Sequence, residues 1–289
     1  MRSWSFVKGH GTENDFVLIP DRDGLLDIGP EAVRYLCDRR AGIGGDGLLR
    51  VVLAEHVPEW TGEGSLWFMD YRNADGSIAE MCGNGVRVLV RYLVDQGLAS
   101  GPVVPIATRG GLREATVLPD RRIRVAMGPV VVGGAEVTVQ TSDGARFAAT
   151  VADVGNPHAV SFTDDLDRLP LHEQPSWEPA GVFPGGVNLE FVRRVGERHI
   201  AMRVHERGSG ETRSCGTGTV AAAAVAHATG VGGAAEGSGS EPVTIQVDVP
   251  GGTVQVELSD AQTYLTGPAV LVAAGDVAMP RELLRSPAG

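Results

Sequence analysis

Two stretches constrain the fold more than any others: AEMCGNGVRVLVRYL, residues 79–93, and ETRSCGTGTVAAAAVA, residues 211–226. In each, a cysteine (Cys82, Cys215) is followed by Gly-x-Gly and then by an apolar run of helical length. Each therefore reads as the opening of a helix. Strand-like segments precede both, SLWFMDYR (65–72) before the first, NLEFVRRV (188–195) and HIAMRVHE (199–206) before the second. Matched helix openings in matched contexts predict two similar α/β halves. A chain of 289 residues, 43% of them hydrophobic, suits two ordinary cores, because single cores stop growing near ~250–300 residues.

Elsewhere the pattern is coarser. NDFVLIP (14–20) and LLRVVL (48–53) read as strands, and EAVRYLCD (31–38) as a helix between them that buries Cys37. Short β-like runs begin after LASGPVVP (98–105), and a Pro-rich loop spans 170–187. GVGGAAEGSGSEP (230–242) has the Gly/Ser content of a mobile connection.

Composition removes several classes of function. A net charge of -11 argues against nucleic acid as a partner, since that affinity comes from basic side chains neutralising phosphates. Three scattered cysteines without a C-x-x-C pair make neither a disulfide scaffold nor a zinc site, so free thiols and no metal are expected. Lys8 is the only lysine, which leaves one N-terminal candidate for a pyridoxal Schiff base and no Walker A loop. No apolar run reaches the ~18 residues of a membrane span, and MRSWSFVKGHG has no apolar signal region, so a soluble cytoplasmic protein is expected.

Two glycine motifs act as decoys. GIGGDG (42–47) fits G-x-G-x-x-G, and GTGTVA (216–221) fits G-x-G-x-x-A, with Glu241 where a ribose-binding acid would fall. A dinucleotide site needs a buried strand running straight into the first glycine. Here RRA precedes one motif and a charged loop precedes the other.

A cysteine at a helix N-terminus faces unpaired N–H groups and the positive end of the dipole, both of which favour thiolate. The glycines let a ligand approach the backbone, and the same N–H groups suit a carboxylate. Two such openings acting on one carbon suit a racemase or epimerase: a thiolate removes the α-proton from one face and a thiol returns one to the other. A noncatalytic carboxylate binder and a nucleotide-dependent oxidoreductase are the competing readings.

HGTENDFV, RRAGIGGDG, NADGSIAEMCGNGVR, VGNPHAV, GVNLEFV and ERGSGETRSCGTGT, in this order, resemble the diaminopimelate epimerase family over nearly the whole chain. The resemblance implies cofactor-independent epimerisation of LL- to meso-2,6-diaminopimelate, in lysine and peptidoglycan precursor synthesis. It implies an α+β (mixed α/β) fold of two similar domains, each a mixed sheet curled around a central helix. The domains would be 1–116, joined by a returning segment 268–289, and 117–267; a homodimer is the expected assembly. It places the acid-base pair on Cys82 and Cys215, with His158 and Glu206 tuning them. The α-carboxylate cradle would be Gly83, Asn84, Gly216 and Thr217. Asn14, Asn73, Asn156, Asn188, Glu206 and Arg207 would complete the substrate contacts. Two departures stand out: G-T-E-N-D at 11–15, with acidic Glu13, and Gly47 where many relatives carry glutamine. They bear on the substrate rather than on the thiols, and another amino acid substrate is the near rival.

Overall fold

A computed structural model describes residues 2–230 and 242–284. The chain forms two compact units, one made of residues up to Val125 with those from Pro268 onward, the other of Ala126–Gly267. The border falls inside the strand Ile123–Gly128, later than the expected 116/117. All but the ends of the Gly/Ser-rich 230–242 segment, Glu241 included, lie outside the described residues.

In the first unit Arg2–Gly11 pairs antiparallel with Asn14–Pro20, which lies parallel to Gly47–Leu53. The ladder continues antiparallel to Trp67–Asn73, parallel to Val103–Thr108 and antiparallel to Gly111–Val117. On its other side Arg2–Gly11 pairs with Val270–Met279, so the last described strand belongs to this unit. Parallel neighbours need a crossover. Helix α1 (Pro30–Cys37) supplies the first and helix α2 (Gly83–Asp95) the second.

The second unit repeats this order. Arg146–Asp153, Pro157–Phe162, Asn188–Gly196, His199–Glu206, Val243–Val249 and Gly252–Leu258 follow one another antiparallel, parallel, antiparallel, parallel, antiparallel. Helix α3 (Gly216–Ala228) sits in the crossover that α2 fills in the first unit. The duplication visible around the two cysteines thus extends to the strand ladder. The Pro-rich 170–187 stretch holds a short strand, Ser176–Glu178, and a 3-10 turn, Ala180–Val182.

Both cysteine helices are cores. α2 packs against Arg2–Gly11, Asn14–Pro20, Gly47–Leu53, Trp67–Asn73, Gly111–Val117 and Val270–Met279, so its sheet wraps it. α3 meets strands of its own unit on every side, and Val220 to Ala226 are buried. An Ala/Val helix that is apolar all round belongs in an interior, and its small side chains let strands approach closely. α2 carries Arg87 and Arg91 yet is buried from Gly83 to Leu93, so those charges must be answered from inside. Phe16, Phe68 and Phe191 are fully buried, each contributing ~1.5–3 kcal/mol by leaving water.

Candidate active site

Cys82 is the N-cap of α2, with extended backbone (φ -145°, ψ 116°), and its sulfur accepts from Gly85 N at 3.3 Å. Cys215 caps α3 in the same way, accepting from Gly218 N at 3.4 Å. Serine, threonine and aspartate normally hold this position by accepting from the third helical N–H. In both units a thiol takes that place, which fixes each sulfur at its helix N-terminus.

In the first unit Asn14, at the start of its strand, brings Oδ1 to Cys82 Sγ (3.8 Å) and to Asn84 Nδ2 (3.1 Å). Gly83 and Asn84 lie buried behind the thiol. Asn73 ends the strand before α2, and its amide donates to Ser77 Oγ within the N-A-D-G turn (3.0 Å). Asn73 is thus held by its own turn, where Gly76 has φ +88° and a Cβ would meet Pro30 at 2.7 Å.

Positions 12–13 and 47 each have a distinct local setting. Thr12 and Glu13 both lie in the left-handed region (φ 51° and 59°), forming the two-residue turn between Arg2–Gly11 and Asn14–Pro20. Thr12 earns its place by accepting from Arg87 Nη2 at 3.2 Å. At position 47 a Cβ would lie 2.6 Å from both Tyr71 Cε2 and the Arg72 carbonyl, so Tyr71 leaves no room for a side chain there.

Arg87, one turn into α2, is fully buried and surrounded by oxygens of Thr12, Pro268 (3.2 Å) and Gly83 (3.5 Å). Burial pulls its pKa down to about 10, while charge on Cys82 works in the opposite direction. The guanidinium remains a cation at neutral pH beneath the first thiol.

The second unit surrounds its thiol with carboxylates instead. His158 Nδ1 pairs with Glu190 Oε1 at 2.7 Å, both side chains wholly buried. His158 Nε2 pairs with Asn156 Oδ1 (3.0 Å), Asn156 Nδ2 donates to Thr217 Oγ1 (3.5 Å), and Thr217 Oγ1 lies 3.6 Å from Cys215 Sγ. A continuous polar chain therefore runs from Glu190 to the second cysteine. Asn188 donates to the Pro157 carbonyl (3.3 Å) and accepts from Arg207 N (2.9 Å). The Arg207 guanidinium is exposed and donates to the Gly185 carbonyl at 3.2 Å. Glu206 accepts from the Thr212 hydroxyl.

One electrostatic expectation is reversed at Cys215. The helix end alone would lower its pKa, but burial first, then Glu206 and Glu190, push the thiol well above its ordinary range. Donation from Gly218 N and Thr217 only partly offsets them. The two sulfurs therefore sit in unlike fields, one over a buried cation and one among carboxylates. Cys37, the third thiol, is pushed by burial up to about 12 and stays protonated at neutral pH.

Internal duplication also orders the polar residues. Asn73 and Glu206 end corresponding strands nine positions before their cysteines, while Asn14 opens its strand and Asn156 immediately precedes the corresponding one, Pro157–Phe162. Local sequence pattern does not single out Asp46, Glu190 or Arg87. A carboxylate inside the apolar run NLEFV was the available signal for Glu190. Among the described residues, no group of three His, Cys, Asp or Glu side chains could hold a metal ion, and no helix is long and apolar enough to cross a membrane. GIGGDG follows helix α1 and runs into the start of Gly47–Leu53 rather than joining a strand to a helix, and GTGTVA follows only the three-residue strand Gly210–Thr212.

Comparison with known proteins agrees with this architecture. A family model described as diaminopimelate epimerase matches residues 6–133 and 150–272. The chain is 51% identical over 277 residues to a diaminopimelate epimerase of Streptomyces coelicolor, covering 94% of each chain. It is 48% identical over 280 residues to one of Corynebacterium glutamicum, covering 94% of this chain and 97% of that one. Among solved structures, a hydroxyproline epimerase from Agrobacterium vitis shares the fold at TM-score 0.66 and 14% identity, covering 98% of this chain and 94% of that one. A Bacillus anthracis phenazine biosynthesis protein of the PhzF family does so at TM-score 0.67 and 15% identity, covering 96% and 100%. With relatives near 50% identical along almost their full length, the chain belongs to the diaminopimelate epimerase family.

Proposed function

We propose that the protein interconverts LL- and meso-2,6-diaminopimelate without a cofactor, with Cys82 and Cys215 as its two acid-base groups. The observation that carries this reading is the paired N-cap: a thiol at the first turn of each central helix, in a family whose relatives bear this activity in their names. One thiolate takes the α-proton while the other thiol gives its proton to the opposite face of the same carbon. No electrons are transferred. Each turnover leaves the thiol and thiolate exchanged, so the reverse reaction uses the other sulfur as base. Backbone N–H groups at Gly83, Asn84, Gly216 and Thr217 hold the α-carboxylate and stabilise the charge that grows on it.

His158 and Glu206 set the electrostatics of Cys215, and Asn14, Asn73, Asn156, Asn188 and Arg207 contact the substrate. A doubly zwitterionic substrate suits such a set: asparagines meet ammonium or carboxylate, and an arginine forks a distal carboxylate. Lys8 is engaged by Asp15 and the Gly44 carbonyl, which argues against a Schiff-base role. The test is proton NMR of reduced protein with LL-diaminopimelate in D₂O, without added pyridoxal phosphate or metal. Loss of the α-proton signal with appearance of the meso isomer is expected; an unchanged spectrum would overturn the substrate assignment.

We also place this activity in the cytoplasm, where biosynthesis of this kind proceeds, and in a homodimer. Most of the strand Val270–Met279 is exposed, with Val270 and Val272 at 44% and 60%, an apolar surface that a second copy would cover. Light scattering should return twice the chain mass. A single-chain mass at micromolar concentration would remove the dimer.

A further inference from the structure

The GIGGDG loop is tied down more heavily than a connection requires. Lys8 Nζ reaches Asp15 Oδ2 (2.5 Å) and the Gly44 carbonyl. Arg39 Nη2 bridges Asp15 Oδ1 and Asp46 Oδ1, at 2.7 Å each. Asp46 N donates to the Asp15 carbonyl (2.8 Å), and Ala74 N donates to the Asp46 carbonyl (3.1 Å). These contacts converge on fixing one carboxylate. The second Asp46 oxygen, Oδ2, accepts from Asn14 Nδ2 at 2.8 Å and from Asp15 N at 3.1 Å.

An ionised carboxylate only accepts, so Asn14 can meet Asp46 only through its NH₂ group. Its carbonyl oxygen must then point the other way, towards Asn84 Nδ2 (3.1 Å) and Cys82 Sγ (3.8 Å). We propose that Asp46 is a positioning residue for the epimerase: held by Arg39, it locks the Asn14 amide so that an acceptor, not a donor, faces the Cys82 thiol and orients Asn84. This deepens the assignment of Cys82 as an acid-base group and rests on it. With Asn14 in this orientation the Cys82 proton has an oxygen to lean on. Reversed, Asn14 would turn an N–H on the sulfur and favour thiolate. The loop with the nucleotide-like glycine pattern thus delivers an aspartate to an asparagine.

The discriminating variant is Asp46→Asn. Arg39, which can only donate, claims the oxygen of the new amide, so its NH₂ faces two donors, Asn14 Nδ2 and Asp15 N; the backbone N–H cannot reverse, and the Asn14 amide turns end for end to offer its oxygen. The rate of Cys82 alkylation by iodoacetamide is read by peptide mass spectrometry at one fixed pH, in a Cys215→Ser background. Asp46→Asn should raise it about tenfold, the size of one hydrogen bond gained by an ionised group. In an Asn14→Ala background the same substitution should change nothing, because its effect runs through that amide. An unchanged rate with Asn14 present, or the same rise without it, overturns the proposal. Arg39→Gln, which releases Asp46 without replacing it, is the second variant should Asp46→Asn not fold, and should raise the rate by less; no rise there also counts against the lock. Alkylation is read without turnover, so failure of the protein to act on diaminopimelate would leave this result standing, and the two readings fail separately.

Discussion

Replacing Cys82 by serine should lower kcat/KM for diaminopimelate epimerisation by at least the ~10²–10⁴ expected of a lost general acid or base, and Cys215→Ser should do the same. A hydroxyl can still cap each helix by accepting from Gly85 N or Gly218 N, so the fold should survive both changes. What is lost is a sulfur able to take or give a proton at the α-carbon. The variants should differ in kind, because the two fields differ. Cys82 stands over the buried Arg87 cation, whereas burial, Glu206 and Glu190 hold the Cys215 thiol protonated. Loss of the Cys82 side chain should therefore leave a protein that binds the substrate but exchanges little deuterium from either isomer. Near-wild-type turnover in either variant, with thermal unfolding unchanged, would exclude the two-thiol mechanism.

Much of this could be read from the chain, but not evenly. The cysteine helices were legible because two signals coincide, Gly-x-Gly after a cap residue and an apolar run of helical length. Strands such as Asn14–Pro20 and His199–Glu206 were legible because they combine β-branched or aromatic residues with clear turn signals. Arg2–Gly11 carries a weak strand signal: its inward residue Trp4 alternates with serines, and its hairpin turn uses Thr12-Glu13 in place of the usual Asn-Gly. Asp46 and Glu190 were hidden for another reason. Each acts by touching a residue distant in sequence, Asn14 for one and His158 for the other, so local pattern says nothing about them. The reversal at Cys215 follows the same logic. A helix N-terminus is visible in sequence, while the burial and carboxylates that outweigh it belong to the folded unit.

The duplication breaks at the third residue of each helix, and there the second large effect is expected. Gly85 and Gly218 occupy the same position and make the same hydrogen bond to their cysteines. A Cβ at Gly85 would meet Leu49 Cδ2 and Met69 Sδ at 3.3 Å and Cys82 Cβ at 3.4 Å. The first two are ends of flexible side chains, of which methionine yields readily, and the third is an ordinary van der Waals contact. Gly85→Ala should be close to neutral, since alanine also gains up to ~1 kcal/mol in helix propensity over glycine. At Gly218 a Cβ would fall 2.6 Å from Glu190 Oε1 and 3.3 Å from the Cys215 sulfur. That oxygen cannot retreat without giving up its 2.7 Å contact to His158 in a fully buried pair. Gly218→Ala should therefore cost ~1–3 kcal/mol in stability as an overpacked site. It should also lower kcat by about 10² through displacement of the thiol and its polar chain. Denaturant unfolding and turnover of the two variants side by side decide the matter. If Gly218→Ala behaves like Gly85→Ala, Glu190 is not lodged against the first turn of α3, and the chain from Glu190 to Cys215 loses its anchor.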